Sequence, residues 1–453
     1  GRLGGYSSAV ANPSTILDGI RAKLGGARAR FAPGPGRFAA EYVVVPGAQL
    51  SAIDSGRTTR GLRAEYFDNP TLTGTPRLVR VDPRVDFGWT LNSPGRGIPF
   101  DWYSVRWTGT ITAPASGVRR LGVEGNDGYR LYLDGKLVVD DWMKRGYGAN
   151  LANVDLAPGS VHQLRLEFFE SAGNARIKLV WDAGVDAAWR SSIDSAVALA
   201  RSSDAAIVVA GIEEGEFRDR AKLGLPGHQE ELIERVAATG KPVVVVLVGG
   251  SAITMPWLSR VNAVLDVWYP GQEGGAAVAD VLWGDYNPAG RLPITFPVSE
   301  GQLPLVYNHK PTGRGDDYLD LTGQALFPFG FGLSYTTFEY SNLSITPGVM
   351  SPSGQATVRF RVRNSGRLAG DEVVQLYVRD LLASVARPVI QLEGFQRVHL
   401  APGEERELSF TLGRDQLRML DAGMRWIVEP GTFRVLIGAS SKDIRLRGDL
   451  TVQ

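Results

Sequence analysis

Strand-like and helix-like patterns alternate at both ends of the first 340 residues of this chain, but between about Gly61 and Ala183 only strand-like patterns occur. One module must therefore interrupt another. Beyond the interruption, a helical stretch from Ser191 to Ser202 leads into the apolar run from Asp204 to Gly211, and a second helix is expected from about Gln229 to Thr239. Apolar runs over Pro242 to Gly250 and Val261 to Trp268 follow, then a helix around Gly275 to Trp283. Near-continuous apolar strands alternating with helices predict a doubly wound parallel sheet buried on both faces. The first fifty residues supply one helix and one strand to it. Asn12-Pro13-Ser14-Thr15 caps a stretch with apolar residues at 16, 17, 20 and 24, and Gly25-Gly26 stops it.

Inside the interruption, residues 62–68, 103–111, 129–142 and 161–169 show stretches with period two, and Asp134-Gly135 is a hairpin signal. A β-sandwich or barrel is predicted. From about Ser341 the chain alternates again, in residues 356–364 and 372–380, with turns at Asn364-Ser365-Gly366 and Ala401-Pro402-Gly403-Glu404. That predicts an immunoglobulin-like sandwich. The expected fold class is thus α/β plus all-β: an α/β domain in two parts, 1–55 and 186–338, an all-β insert at 56–185, and a C-terminal sandwich at 339–453.

Composition excludes more than it identifies. A net charge of +1 offers nothing to a polyanion, so no nucleic-acid partner is expected. No apolar stretch approaches the roughly 20 residues of a membrane helix. Cysteine is absent, and His162, His228, His309 and His399 lack metal-ligand spacing. Asp140-Asp141 alone falls short of a calcium site, which needs about six to eight oxygens. No cofactor and no metal are expected. The start at Gly1-Arg2-Leu3, without methionine or signal peptide, reads as a processed or truncated end.

The segment after the strand ending at Gly211 contains Glu213, Glu214, Glu216 and Asp219 together with Arg218 and Arg220. Loops leaving the carboxyl ends of parallel strands face the crevice where open α/β sheets bind ligands. A solvated charged loop is the plain alternative. Gly249-Gly250-Ser251 follows the next strand but lacks a full phosphate-binding pattern, so turn chemistry is the expected role.

The run Gly215-Glu216-Phe217-Arg218-Asp219-Arg220, with Leu225-Pro226-Gly227-His228-Gln229, resembles the acid/base loop of glycoside hydrolase family 3, the β-glucosidase and β-xylosidase family. Phe217 stands where the family usually has glycine. Three further blocks resemble the family: Trp268 to Gly275, Asn287 to Pro297, and Phe327 to Phe338. The insert resembles a PA14 domain, and the C-terminal module resembles the fibronectin type III-like domain that ends many family members.

The resemblance implies a retaining double displacement with Glu216 as general acid/base, Glu214 and Glu213 being the alternatives if the register slips. Asp219 and Arg220 would pair to support the loop. The aspartate nucleophile would lie on a separate (β/α)8 barrel, for no Ser-Asp-Trp motif occurs in this sequence. The only Asp-Trp pairs are Asp101-Trp102 and Asp141-Trp142. Partners implied are a carbohydrate substrate and that barrel segment, with a homo-oligomer left open. Trp102, in a loop of the insert, is the candidate sugar contact, whereas Trp107, Tyr129, Tyr132 and Trp142 are expected in the sandwich core. The other reading is a non-catalytic carbohydrate-binding or scaffold protein.

Overall fold

The computed structural model describes residues 12–26, 28–37, 41–89, 92–185, 188–215, 219–312 and 317–453. The chain divides into two compact units, one formed by Gly1–Phe38 with Arg190–Gln453 and the other by Ala39–Trp189.

In the first unit, helix Ile16–Leu24 begins at a capping box, with Thr15 accepting from the Asp18 amide and Asp18 accepting from the Thr15 amide. It ends at Gly25, whose φ of 73° suits glycine. Its Gly19 crosses helix Gly274–Trp283 at Gly275, so closely that a Cβ on either glycine would overlap the other segment's backbone. Strands Ala206–Gly211, Val243–Val248 and Ala263–Asp266 form a parallel sheet in that order. Helix Gln229–Ala237 makes the crossover between the first two, burying Leu232, Ile233 and Val236. The helix expected over 191–202 runs Ala188–Arg201. This is the α/β alternation that the sequence predicts.

The same unit continues into two sheets, mostly antiparallel, that share one core. Strands Phe338–Thr346, Ala356–Asn364 and Glu405–Leu412 form one, and Gly370–Asp380 lies in the other between Gln391–Leu400 and Gly431–Gly438. Along Ala356–Asn364 every second residue is buried, as the alternation requires. Phe360, Val362, Leu376, Val435 and Ile437 meet between the sheets. A buried polar seam joins this sandwich to the preceding segment. Arg291 Nη2 donates to Glu372 Oε1 at 3.2 Å, with side chains 8% and 4% exposed. Gln375 Nε2 donates to the carbonyls of Gly330 and Ala439.

The second unit is a sandwich of a five-stranded and an eight-stranded sheet around one core. Trp107, Tyr66, Tyr103, Tyr129 and Phe168 are fully buried there. The hairpin signalled by Asp134-Gly135 joins strands Gly128–Leu133 and Lys136–Asp141. Positive φ at Asp134 (50°) and Gly135 (81°) gives its two-residue turn the twist that the flanking strands need.

Two expectations change here. The insert begins before residue 56, because Val43 pairs with Trp181 and Leu50 with Ile111, which places both strands in its sheets. Tyr132 and Trp142 are half-buried and outside the core. Each instead supports a guanidinium, Arg165 lying 3.7 Å from the Tyr132 ring centroid and Arg130 4.6 Å from that of Trp142.

Candidate active site

The charged segment leaves the sheet after one last ladder bond, from Ile212 N to Val248 O at 2.9 Å. Its departure point is fixed by Gln229, 5% exposed, at the start of the crossover helix. Gln229 Oε1 accepts from Gly211 N at 2.8 Å, and Nε2 donates to Gly211 O and to Pro226 O.

Of the four carboxylates, Glu216 lies outside the described residues, with Phe217 and Arg218. Glu213 Oε2 pairs with Arg37 Nη2 at 3.3 Å. Glu214 Oε1 accepts from Ser251 Oγ, and its amide donates to the Tyr269 hydroxyl at 3.1 Å. Arg220 donates through Nη1 to Gly224 O and through Nη2 to Ser251 Oγ, both at 3.1 Å, and Nη2 lies 3.8 Å from Glu214 Oε1.

The expected Asp219–Arg220 pair is therefore replaced by Glu214–Arg220. Asp219 is exposed, where water already solvates it, while the Arg220 guanidinium turns inward to half-buried acceptors that need a donor. Asp219 and Arg220 thus occupy different environments, and among the described residues it is Arg220 that reaches Gly224, Ser251 and Glu214.

Glu214, Ser251 and Tyr269 follow three successive parallel strands, so they converge at the carboxyl edge of the sheet. Close approach explains the glycines of Gly249-Gly250-Ser251. A Cβ at Gly249 would lie 2.6 Å from Ile212 Cγ1, and one at Gly250 would overlap Glu214 Oε2. Turn chemistry accounts for part of that motif; Ser251 adds a side-chain hydrogen bond that composition does not reveal. Trp268, with φ 50°, turns the chain so that Tyr269 faces the segment.

The downstream part of the segment is anchored too. Leu223 N donates to Glu300 Oε1 at 2.6 Å and Leu225 N to Glu230 Oε1 at 3.1 Å. Burial raises the Glu230 carboxyl above its ordinary range, whereas backbone amides, that of Leu223 foremost, lower that of Glu300. Sequence reasoning passed over Gln229, Ser251, Tyr269 and Arg37. The available signals were a Gln opening the crossover helix, a serine after a glycine pair, and a tyrosine inside the Trp268 to Gly275 block.

In the second unit, Trp102 is 61% exposed and has φ 62°, in the loop before strand Tyr103–Thr112.

A model of the glycosyl hydrolase family 3 C-terminal domain matches residues 2–335. The chain belongs to glycosyl hydrolase family 3. A fibronectin type III-like domain matches residues 372–441, within the C-terminal sandwich. Among family 3 relatives, a β-glucosidase of Rhizobium radiobacter is 34% identical over 487 aligned positions, covering 98% of this chain and 56% of that protein. A β-xylosidase of Formosa agariphila is 43% identical over 266 residues, covering 57% of this chain and 37% of that one. The crystal structure of a Kluyveromyces marxianus β-glucosidase in complex with glucose superposes with a TM-score of 0.60 at 28% identity, covering 99% of this chain and 57% of that chain. A Listeria innocua β-glucosidase solved with glucose gives 0.56 at 33% identity, covering 58% and 38%. The chain thus spans between 37% and 56% of the length of these two curated relatives.

Proposed function

We propose that this chain is the C-terminal portion of a retaining β-glucosidase-type glycoside hydrolase and that it supplies the acid/base carboxyl, Glu216. The observation that carries the reading is the acidic segment itself, which follows the carboxyl end of a parallel strand within a family 3 domain. The nucleophilic aspartate would belong to a (β/α)8 barrel that is not part of this sequence.

In the first step Glu216 gives its proton to the departing glycosidic oxygen while the nucleophile attacks the anomeric carbon from the opposite face. In the second, the same carboxylate takes a proton from water as that water displaces the nucleophile. The two carboxyls of a retaining pair stand about 5–5.5 Å apart, too close for an intervening water in the first step. Relatives named β-glucosidase and β-xylosidase together support a β-linked glucoside or xyloside as substrate. For the insert we propose a PA14 domain whose exposed Trp102 stacks on the leaving-group sugar.

The test uses the full-length enzyme and the kcat/KM of aryl β-glucosides and β-xylosides. Glu216→Ala should slow substrates with poor leaving groups most, by about 10²–10⁴-fold, because good ones need little proton assistance. Azide should then restore turnover and yield the β-glycosyl azide. Azide rescue in Glu213→Ala or Glu214→Ala in place of Glu216→Ala would move the assignment to that residue.

A further inference from the structure

We propose that Glu214 is a positioning residue for the acid/base. Gripped by Ser251 and Arg220, its carboxylate braces both ends of the short segment that separates residues 214 and 220. The proposal rests on the reading that this segment carries the proton donor.

A segment leaving a sheet edge has no ladder to hold it, and a proton donor misplaced by about 1 Å can lose a factor of about 10² in rate. The described residues on either side of the segment meet that need. Arg220 Nη2 donates to Ser251 Oγ, which donates in turn to Glu214 Oε1, so residues 214 and 220 are tied through one hydroxyl. The guanidinium also stands 3.8 Å from Glu214 Oε1, with side chains only 19% and 26% exposed. Charge-assisted bonds shielded in this way hold geometry better than solvated ones.

Backbone contacts complete the brace. Tyr269 accepts from the Glu214 amide, and Arg220 Nη1 reaches Gly224 O, next to the Leu225 amide held by Glu230. The carboxylate is confined sterically as well, because Gly250 leaves room for Glu214 Oε2 that any other residue would fill. Ser251 is thus the point where the ends converge. Glu213, next to Glu214 in sequence, pairs with Arg37.

The experiment compares kcat/KM in the full-length enzyme for two aryl β-glucosides, one with a nitrophenol-type leaving group and one with an unactivated phenol. This quantity reports the first step, and the ratio between substrates is independent of how much enzyme is correctly folded. Glu214→Gln and Ser251→Ala should each lower the unactivated substrate about 10–100-fold more than the activated one. Ser251→Thr, which keeps the hydroxyl, should recover part of the ratio. In a Glu216→Ala background the same substitutions should leave the ratio unchanged, because nothing remains to position.

An equal loss on both substrates, or no loss, overturns the brace. Glu216→Ala measured alone reads the underlying assignment separately. If Glu216→Ala shows no leaving-group dependence while Glu214→Gln does, Glu214 is itself the donor and the brace is overturned.

Discussion

Gln229 behaves as a strand partner for Gly211, bonding both its N–H, at 2.8 Å, and its C=O, at 3.0 Å. A side chain from the crossover helix thus satisfies the backbone where the acidic segment leaves the sheet. Gly211 leaves no alternative on the other flank, where a Cβ would overlap Val248 O.

Gln229→Leu should therefore be among the more damaging single changes in the α/β part. It strands the Gly211 N–H and C=O and the Pro226 C=O, and each buried group left unpaired costs about 1–3 kcal/mol. Chemical denaturation should show a lower midpoint with an unchanged slope; a shift below about 0.5 kcal/mol would place these groups in contact with water.

Arg291 and Glu372 form a buried pair in the seam to the C-terminal sandwich. Removing one partner leaves an uncompensated charge and should cost about 3–5 kcal/mol. Arg291→Met combined with Glu372→Leu should be much less harmful than either alone. A double-mutant cycle of unfolding midpoints checks this, and additive losses would contradict it.

Glu170 is fully buried in the second unit, neither carboxyl oxygen has a hydrogen-bond partner among the described residues, and its pKa is pushed up to about 8. Burial is the main cause; Asp127 and Asp101 add to it and Lys144 opposes it. The folded state therefore holds a proton that the unfolded chain releases near pH 4.3. Folding stability should fall as pH rises from about 4.5 to about 8, then level off for this group. Glu170→Gln, which stays neutral, should flatten that part of the melting-temperature profile. An equally steep profile in the variant would assign the dependence elsewhere.

Trp102 adopts a left-handed φ of 62° while 61% exposed, an unfavourable combination for a bulky side chain. Trp102→Gly should raise stability by up to about 1 kcal/mol, since glycine adopts this conformation freely. The same variant should lower kcat/KM for cellobiose and longer oligomers relative to small aryl glucosides. An unchanged chain-length preference would remove Trp102 from the substrate contacts.

Much of the architecture was legible because it depends on neighbours in sequence. Thr15 and Asp18 cap their helix through a four-residue pattern, Asp134-Gly135 forms a turn through its own φ angles, and residues 356–364 show their buried face by alternation. The acidic segment after Gly211 was legible for the same reason, as an apolar run ending in carboxylates. What only the tertiary structure decided is which distant groups meet. The sequence does not mark Val43 as the partner of Trp181, Gln229 as the clamp on Gly211, or Arg220 as the partner of Glu214 in place of Asp219. Local propensity acts over a few residues through backbone sterics and side-chain spacing. Cross-strand register and half-buried hydrogen bonds are set by close approach of separate segments, as where Gly250 makes room for Glu214, and that approach exists only once the sheet has formed.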